Sequence, residues 1–300
     1  MHPTHRTLSH TGDAAALVRN VLGLFKLRIG FVIMITALAG YAITPGPSLE
    51  VAQLAVLALS VLIASASAGA FNQYIEYKSD RLMTRTRGRA FVTGALRHTP
   101  AWLIPIGLLL TASVAAAWVA LNITSALFVF LGAFFYAIVY TVWLKRRTWL
   151  NIVIGGLAGS FSVLAGAAAV DPTIGILPLL LALVLFLWTP PHFWSLAIAN
   201  RADYAAAGIP MLPVVVGDAR AAHVVFISTL ALVGASLLPA FFGVGPIYLV
   251  GAISGGGYFI YKAWQLARSP SRKTAMGSFF ASLIQLSVLL VAAMIEALVF

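Results

Sequence analysis

The chain has 300 residues, of which 61% are hydrophobic and only 9% are charged. A soluble protein of this length cannot bury that much apolar surface, so the composition indicates an integral membrane protein. The chain has no cysteine, which excludes disulfides, iron–sulfur clusters and thiolate metal sites.

The predicted elements begin with a polar tail, residues 1–27. It has no short apolar core followed by a small-residue cleavage site, so we do not expect a cleaved signal peptide. Nine apolar stretches follow, and each is predicted to be a helix, because a lipid-exposed chain must close its own backbone hydrogen bonds. They lie near 29–44, 51–75, 101–121, 123–144, 151–170, 173–199, 222–242, 246–265 and 277–299. Residues 28–300 are therefore predicted to form one all-α membrane domain, with about nine transmembrane helices around a central cavity.

The basic residues predict the orientation of these helices. All 19 Lys and Arg residues lie before the first stretch or at the ends of the second, fourth, sixth and eighth. By the positive-inside rule, the N-terminus is cytoplasmic, the C-terminus is outside, and the cavity opens to the cytoplasm. The net charge of +11 is explained by topology, so no nucleic-acid partner is expected. We expect a multi-pass protein of the inner (plasma) membrane, with the mitochondrial inner membrane as the less favoured location.

A row of oxygen-bearing side chains closes the second stretch. Asn72, Glu76 and Asp80 are spaced four apart, which puts them on one face of a helix, about 6 Å apart along its axis. An amide and two carboxylates are hard donors that suit Mg²⁺, which also binds substrate phosphates. Arg85 and Arg89 follow, and guanidinium groups bind phosphate oxygens. The pattern fits a diphosphate site. A solvated turn with local Glu–Arg pairs explains it equally well.

A second polar cluster follows the sixth stretch. Asn200 and Asp203 again place an amide and an acid at the predicted cytoplasmic end of a long uncharged helix. The two halves of the chain thus resemble a diverged internal repeat. The acidic helix ends of the two halves would face each other across a metal-bound diphosphate. The second cluster has a single acid, and a helix-end cap near Arg201 is the alternative explanation.

One histidine lies deep inside an apolar stretch, far from either end. His192 stands about eight residues before Asn200, so it is roughly 12 Å from the cytoplasmic end of its helix. Ionisable groups at such depth usually face a cavity and mark function. Pro190 and Pro191 precede it and are expected to kink the helix. The alternative is a histidine that is hydrogen-bonded to a carbonyl of a neighbouring helix.

These motifs carry a family resemblance. The segment NQYIEYKSDRLMTRTRGR (72–89) resembles the Asn-x-x-x-Asp-x-x-x-Asp region of the UbiA-type intramembrane prenyltransferases. Residues 140–160 and 188–217 are similar to one branch of that superfamily, the heme O synthases, or protoheme IX farnesyltransferases. The resemblance covers nearly all of the chain from Phe25, and Pro-Pro-His-Phe-Trp is its most specific part. Two positions depart from the family pattern. Glu76 stands where the family usually has the shorter Asp, and Ala202 stands where it frequently has another acid.

The resemblance implies a prenyltransferase domain over 28–300, with heme b and farnesyl diphosphate as substrates. The enzyme would transfer the farnesyl group to a heme vinyl group, giving heme O for terminal oxidase assembly. Its candidate protein partners are a second copy of the chain and heme A synthase. By this resemblance, Mg²⁺ is the cofactor, and its ligands are Asn72, Glu76, Asp80 and Asp203, which are also catalytic candidates with His192. The predicted diphosphate-binding residues are Arg81, Arg85, Arg89, Lys145, Arg146, Tyr140 and Lys26.

The acceptor side of the site is predicted from the same resemblance. His192, Trp194 and Arg201 are the candidate heme-binding residues, with His192 acting as an iron ligand or as a base near the vinyl carbon. A carbocation formed from farnesyl diphosphate needs a dry, aromatic-lined cavity. The predicted wall on the fourth stretch consists of Phe135, Tyr136, Tyr140 and Trp143.

Three other functions remain open from the sequence. A prenyltransferase with an aromatic acceptor, of the ubiquinone or menaquinone branch, would share the first cluster but leaves Pro-Pro-His-Phe-Trp unexplained. A transporter predicts polar groups near the bilayer midplane, whereas here the acids lie at helix ends. A non-enzymatic heme carrier could use His192 but gives no reason for Asn72, Glu76 and Asp80.

Overall fold

A computed structural model describes residues 10–299, with the side chains of residues 14–299. Within these residues the fold is helical throughout and contains no β-strand. The first nine residues of the predicted tail lie outside this range, and the rest of the tail includes a helix. The α-helices are α1 (His10–Leu24), α2 (Leu27–Ala42), α3 (Val51–Ile75), α4 (Tyr77–Asp80), α5 (Ala90–Thr93), α6 (Leu103–Ala120), α7 (Ile123–Phe134), α8 (Asn151–Gly155), α9 (Leu157–Val170), α10 (Ile176–Ala199), α11 (Arg201–Ala206), α12 (Leu212–Val216), α13 (Asp218–Leu237), α14 (Pro246–Arg268) and α15 (Arg272–Val299).

Most of the predicted membrane helices are long and apolar enough to cross a bilayer. Within the described residues, seven helical segments meet this condition singly, and α1 with α2 meets it as a pair that is bent by 43°. The remaining helix, α14, corresponds to the eighth predicted stretch and has 23 residues, but its glycines, its tyrosines and Lys262 lower its hydropathy. An all-helical membrane protein is thus confirmed, and nine is an approximate count of its spans.

The helix α10 continues through its two prolines. Pro190 and Pro191 cannot donate backbone hydrogen bonds, yet the helix is unbroken from Ile176 to Ala199. Hydroxyls bond to backbone carbonyls on both sides of the pair: Thr189 Oγ1 donates to the Leu185 carbonyl and Ser195 Oγ to the Pro191 carbonyl. The prolines therefore lie within a continuous helix, and His192 lies directly after them in its C-terminal half.

Glycines allow a close backbone contact between α2 and α9. A Cβ atom on Gly40 of α2 would lie 2.1 Å from the Val163 carbonyl oxygen, and one on Gly166 of α9 would lie 1.8 Å from the Ala37 carbonyl oxygen. Both distances are far below contact, so only glycine allows these helices to touch backbone to backbone. Small residues play this role in membrane helices, where van der Waals packing replaces the hydrophobic effect.

The two ends of the bundle differ in character. The connections at 76–99, 145–150 and 200–217 meet at one end, hereafter the charged end. A cavity of about 700 Å³ lies at the opposite end, lined in part by Tyr41, Pro47 and Glu296. There Glu296 Oε2 accepts a 2.9 Å hydrogen bond from the Tyr248 backbone N–H and so caps α14. This cavity is remote from the predicted site, which lies at the charged end.

Candidate functional site

The three oxygen donors of the first cluster lie together at the charged end. Helix α3 ends at Ile75, yet the backbone bonds from Glu76 to Asn72 and from Asp80 to Glu76, both 2.9 Å, keep the helical spacing. The three side chains therefore stack along one face. All are buried, with exposures of 2% for Asn72, 4% for Glu76 and 2% for Asp80. Buried carboxylates need partners, and the structure supplies one for each.

Lys26 approaches this face from the break between α1 and α2. Its backbone is left-handed (φ 49°, ψ 42°), which turns the chain and brings its side chain to α3. Lys26 Nζ donates to Asn72 Oδ1 at 2.7 Å. The Asn72 Nδ2 group donates to Thr141 Oγ1 at 3.0 Å, and Thr141 in turn donates to the Tyr136 carbonyl at 2.8 Å. This chain of bonds fixes the amide so that its oxygen faces the lysine.

The two carboxylates are held by other bases. Lys145 Nζ donates to Glu76 Oε1, and Arg89 lies between both acids, at 2.5 Å from Asp80 Oδ2 and 3.6 Å from Glu76 Oε2. Burial raises the pKa of the Glu76 carboxyl, but the Lys145 ammonium, with help from Lys26 and Arg89, lowers the pKa below its ordinary value. Glu76 is therefore ionised at neutral pH.

The segment 81–89 is a series of turns, so the arginines do not continue the helical spacing of α3. Thr86 Oγ1 donates to the Asp80 carbonyl at 3.1 Å and folds the chain back, which returns Arg89 to the acids. Arg81 instead points outward and lies 5.7 Å from the Tyr77 ring centroid. The arginines therefore divide into one that contacts the acids and others at the rim of the site.

A π-helix supplies the opposite wall of the site. After α7, residues Phe135–Leu144 are π-helical, and the Lys145 backbone N–H bonds to the Tyr140 carbonyl at 2.9 Å. The Lys145 ammonium lies 5.4 Å from the Tyr140 ring centroid. A Cβ atom on Gly155 would lie 2.9 Å from Tyr140 Cδ2, so this glycine makes room for the ring. π-Helical segments inside α-helices are frequently found at functional sites.

The structure brings the predicted wall residues of this segment together only in part. Tyr136 and Tyr140 stack with ring centroids 5.7 Å apart, and Phe135 packs edge-on against Phe161 at 5.0 Å. Trp143, however, is 55% exposed on the outer surface of the bundle. Its assignment to the wall is wrong, because the π-helical turn directs residue 143 away from the residues that face α3.

The predicted second cluster meets the segment 81–89. Asp203 Oδ1 accepts from Thr84 Oγ1 at 3.1 Å, and Asp203 Oδ2 accepts from the Arg85 backbone N–H at 3.4 Å. Among the side chains that the structure describes, those of residues 14–299, no three from His, Asp or Glu gather closely enough to form a metal cluster. Two acids and one amide thus lie together, while Asp203 reaches them only through the 81–89 turns. Arg146 joins the site by donating to Ser79 Oγ at 3.2 Å.

His192 is enclosed by aromatic rings. Trp188 stacks on it with centroids 4.1 Å apart and Phe279 at 4.5 Å, and His192 Nδ1 lies 2.6 Å from Ser282 Oγ. The predicted alternative is a bond to a carbonyl of a neighbouring helix; Nδ1 does bond to a neighbouring helix, but its partner is a hydroxyl. The other nitrogen, Nε2, has no hydrogen-bond partner among the described residues, and His192 keeps 6% exposure.

The other two acceptor candidates occupy different surroundings. Trp194 is buried against Trp149, with centroids 6.1 Å apart, and its indole N–H has no partner within the described residues. Arg201 lies at the surface and pairs with Asp218, 3.5 Å away. Trp194 is thus buried near the charged end, whereas Arg201 is engaged in a local ion pair at the surface.

Some contacts had no signal in the sequence. Thr141 orients Asn72, Ser79 receives Arg146, and Ser282 bonds to His192. Each is a hydroxyl residue in an apolar helix or a turn, where most hydroxyls bond only to their own backbone. Their partners are 69, 67 and 90 residues away. Such pairs become visible only once the helices are packed.

Sequence comparison places these residues in a known family. The profile of the UbiA prenyltransferase family matches residues 33–284. Protoheme IX farnesyltransferase 2 from Paramagnetospirillum magneticum is 56% identical over 283 residues, which are 94% of this chain and 98% of that protein. This likeness extends over the whole described site.

Structural comparison gives the same fold. Digeranylgeranylglyceryl phosphate synthase has a TM-score of 0.77 at 18% identity, covering 95% of this chain and 99% of that one. A UbiA homologue from Archaeoglobus fulgidus, solved with DMAPP and Mg²⁺, has a TM-score of 0.68 at 15% identity, covering 90% and 99%. Identities this low establish the architecture alone, whereas the profile match and the 56% identical relative establish descent. The chain belongs to the UbiA prenyltransferase family.

Proposed function

We propose that this membrane prenyltransferase transfers a farnesyl group from farnesyl diphosphate to a vinyl group of heme b, giving heme O. The allylic C–O bond breaks and diphosphate leaves with its electron pair. A new C–C bond joins the farnesyl group to the vinyl group, while water adds its hydroxyl to the other vinyl carbon and releases a proton. The observation that carries the proposal is the buried row of Asn72, Glu76 and Asp80, each paired with a base, in a chain 56% identical to a protein named for this activity.

The bases of the row are the proposed diphosphate ligands. Lys145 and Arg89 neutralise the two carboxylates and Lys26 bonds to the Asn72 amide oxygen, and an arriving diphosphate offers these bases stronger partners. When the bases turn to the diphosphate, they release the oxygens of Asn72, Glu76 and Asp80. Substrate and metal should therefore bind together better than either binds alone.

The released oxygens are of the kind that Mg²⁺ prefers. Asn72, Glu76 and Asp80 would hold it, and Asp203 would join them through movement of the 81–89 turns, since it is now bonded to Thr84. When bound, the ion would neutralise the leaving diphosphate and act as a Lewis acid. The Archaeoglobus relative with DMAPP and Mg²⁺ supports this choice of metal.

The remaining predicted residues fall into two groups around that centre. Arg85, Arg81 and Arg146 lie at the rim, where they would attract the diphosphate and stabilise its charge as the bond breaks. Tyr136 and Tyr140 would shield the allylic cation from water, because their stacked rings form the wall next to Lys145.

We place the acceptor at α10. His192 lies in the membrane, beside an apolar stack that suits a porphyrin face, and Trp194 lies two residues further toward the charged end. Arg201 would meet a heme propionate only after leaving Asp218. We also propose that the charged end is cytoplasmic and that the protein resides in the plasma membrane, as its basic loops predict.

The test is a pigment extract from cells that make heme b but no heme O. Expression of the protein should produce heme O, identified by its mass, whereas the Asp80→Asn variant should not. Asp171→Asn serves as the matched control, since Asp171 lies in the connection between α9 and α10, at the opposite end of the bundle from the row. An extract with a prenylated aromatic compound and no heme O would assign the protein to the aromatic-acceptor branch.

A further inference from the structure

The bonding around His192 fixes which of its nitrogens carries the proton. Ser282 Oγ lies 2.6 Å from the Phe279 carbonyl oxygen and 2.6 Å from His192 Nδ1. A serine hydroxyl has one hydrogen, and a carbonyl oxygen can only accept. At 2.6 Å the hydrogen must lie between Ser282 and Phe279, because two bare oxygens at that distance repel. Ser282 therefore has only a lone pair to offer the imidazole, and Nδ1–H must donate to it.

The second nitrogen is then the one with the free lone pair. A neutral imidazole carries one N–H, so Nδ1–H leaves Nε2 unprotonated. The two ring faces are covered, since Trp188 and Phe279 both stack nearly parallel to the imidazole, at 19° and 28°. Only the ring edge remains, where the Phe193 ring also packs with its centroid 4.9 Å away, and Nε2 is the edge atom without a hydrogen-bond partner in the described part of the chain. A lone pair in the ring plane is what an axial heme ligand presents.

The same helix also holds one of the stacking rings. Trp188 Nε1–H donates to the Ser282 carbonyl oxygen at 2.8 Å. Ser282 thus contacts the histidine through its side chain and the tryptophan through its backbone, so that α15 sets both the tilt and the tautomer of the imidazole. Metal-binding histidines commonly donate their second N–H to an oxygen in this manner.

We propose that Ser282 is a positioning residue that holds His192 in the Nδ1–H form, so that Nε2 ligates the iron of the heme acceptor. This rests on the proposed function for the identity of the heme, but the bond can be tested without any farnesyl transfer. Ser282 itself need not touch the substrate. Replacing Ser282 should weaken iron ligation, while the diphosphate half of the site, at the end of α3, stays intact.

The experiment titrates ferric heme b into the purified full-length protein in lipid nanodiscs, followed by absorption and resonance Raman spectra. The parent protein should show a histidine-ligated iron, and His192→Ala should lose that signature. Ser282→Ala should bind heme roughly 10- to 100-fold more weakly, as is typical when the partner of a metal-binding histidine is removed. Ser282→Thr keeps a hydroxyl and should restore binding.

Ser278→Ala is the matched control, because Ser278 lies one turn away on α15 and bonds to Ser195 instead, at 2.9 Å. It should bind heme like the parent. If Ser282→Ala keeps the parent affinity and spectrum while His192→Ala loses the signature, the role of Ser282 is refuted and histidine ligation stands. If His192→Ala keeps the signature, ligation itself is refuted. Neither result depends on heme O production, whose absence would count only against the proposed reaction.

Discussion

Replacing Lys145 with methionine tests whether the acids and bases of the site neutralise each other. Methionine keeps much of the side chain's length and removes its charge. Lys145 and Glu76 are mostly buried, with side-chain exposures of 12% and 5%. A buried carboxylate that loses its last partner costs about 3–5 kcal/mol. Glu76 would keep Arg89 at 3.6 Å, so we expect a smaller loss, about 2 kcal/mol.

The assay is thermal unfolding of the purified protein in EDTA. A loss of this size should lower the melting temperature by roughly 3–6 °C. Glu76→Gln removes the other charge, and the double variant should be less destabilised than the two single losses predict, with a coupling of about 1–3 kcal/mol. Arg147→Met is the control, since Arg147 is exposed in the same loop and has no ion pair among the described residues. Strictly additive losses would refute direct neutralisation of Glu76 by Lys145.

Asp80→Ala should reduce heme O production more than 100-fold yet leave heme binding unchanged, because Asp80 belongs to the diphosphate half; equal losses in both assays would contradict this. Thr141→Val should reduce turnover by roughly tenfold, less than Asn72→Ala, since it frees the Asn72 amide without removing it. EDTA should stop turnover and Mg²⁺ should restore it, with calorimetry showing that Mg²⁺ and inorganic diphosphate bind at least about tenfold more tightly together than separately. Reporter fusions should place the loop 78–98 inside and the C-terminus outside, and a cytoplasmic C-terminal reporter would overturn the assignment of the charged end.

Sequence reasoning predicted what depends on composition and local spacing. The apolar stretches gave the helices, and the four-residue spacing gave the shared face of Asn72, Glu76 and Asp80, since both follow from helix geometry. The π-helical turn could not be predicted, because an apolar segment has the same residue pattern in either helix type. For that reason Trp143 was assigned to the wrong surface.

The partners of the site residues depend on contacts between distant helices. The Lys26 ammonium reaches Asn72 only because the Lys26 backbone is left-handed. Lysine does not favour that conformation, so the sequence does not predict it. The resemblance named Lys26 and Lys145 as ligands of diphosphate, but nothing in the spacing indicated that, in this structure, both bind the oxygens predicted to hold the metal. Ser282 is 90 residues from His192, and their bond depends on how α10 packs against α15.

The glycine contact between α2 and α9 determines where the bundle can widen for a substrate as large as a tetrapyrrole. At Gly40 and Gly166 no side chain separates the two backbones, so there is no rotamer that could change to let these helices slide or part. They should move as one rigid unit during turnover. The boundary between α10 and α15 is held at the acceptor site by side-chain bonds of His192 and Trp188 to Ser282, and such bonds can break and re-form. The bundle should therefore open along this second boundary, so that His192 would both secure the closed form and meet the incoming heme.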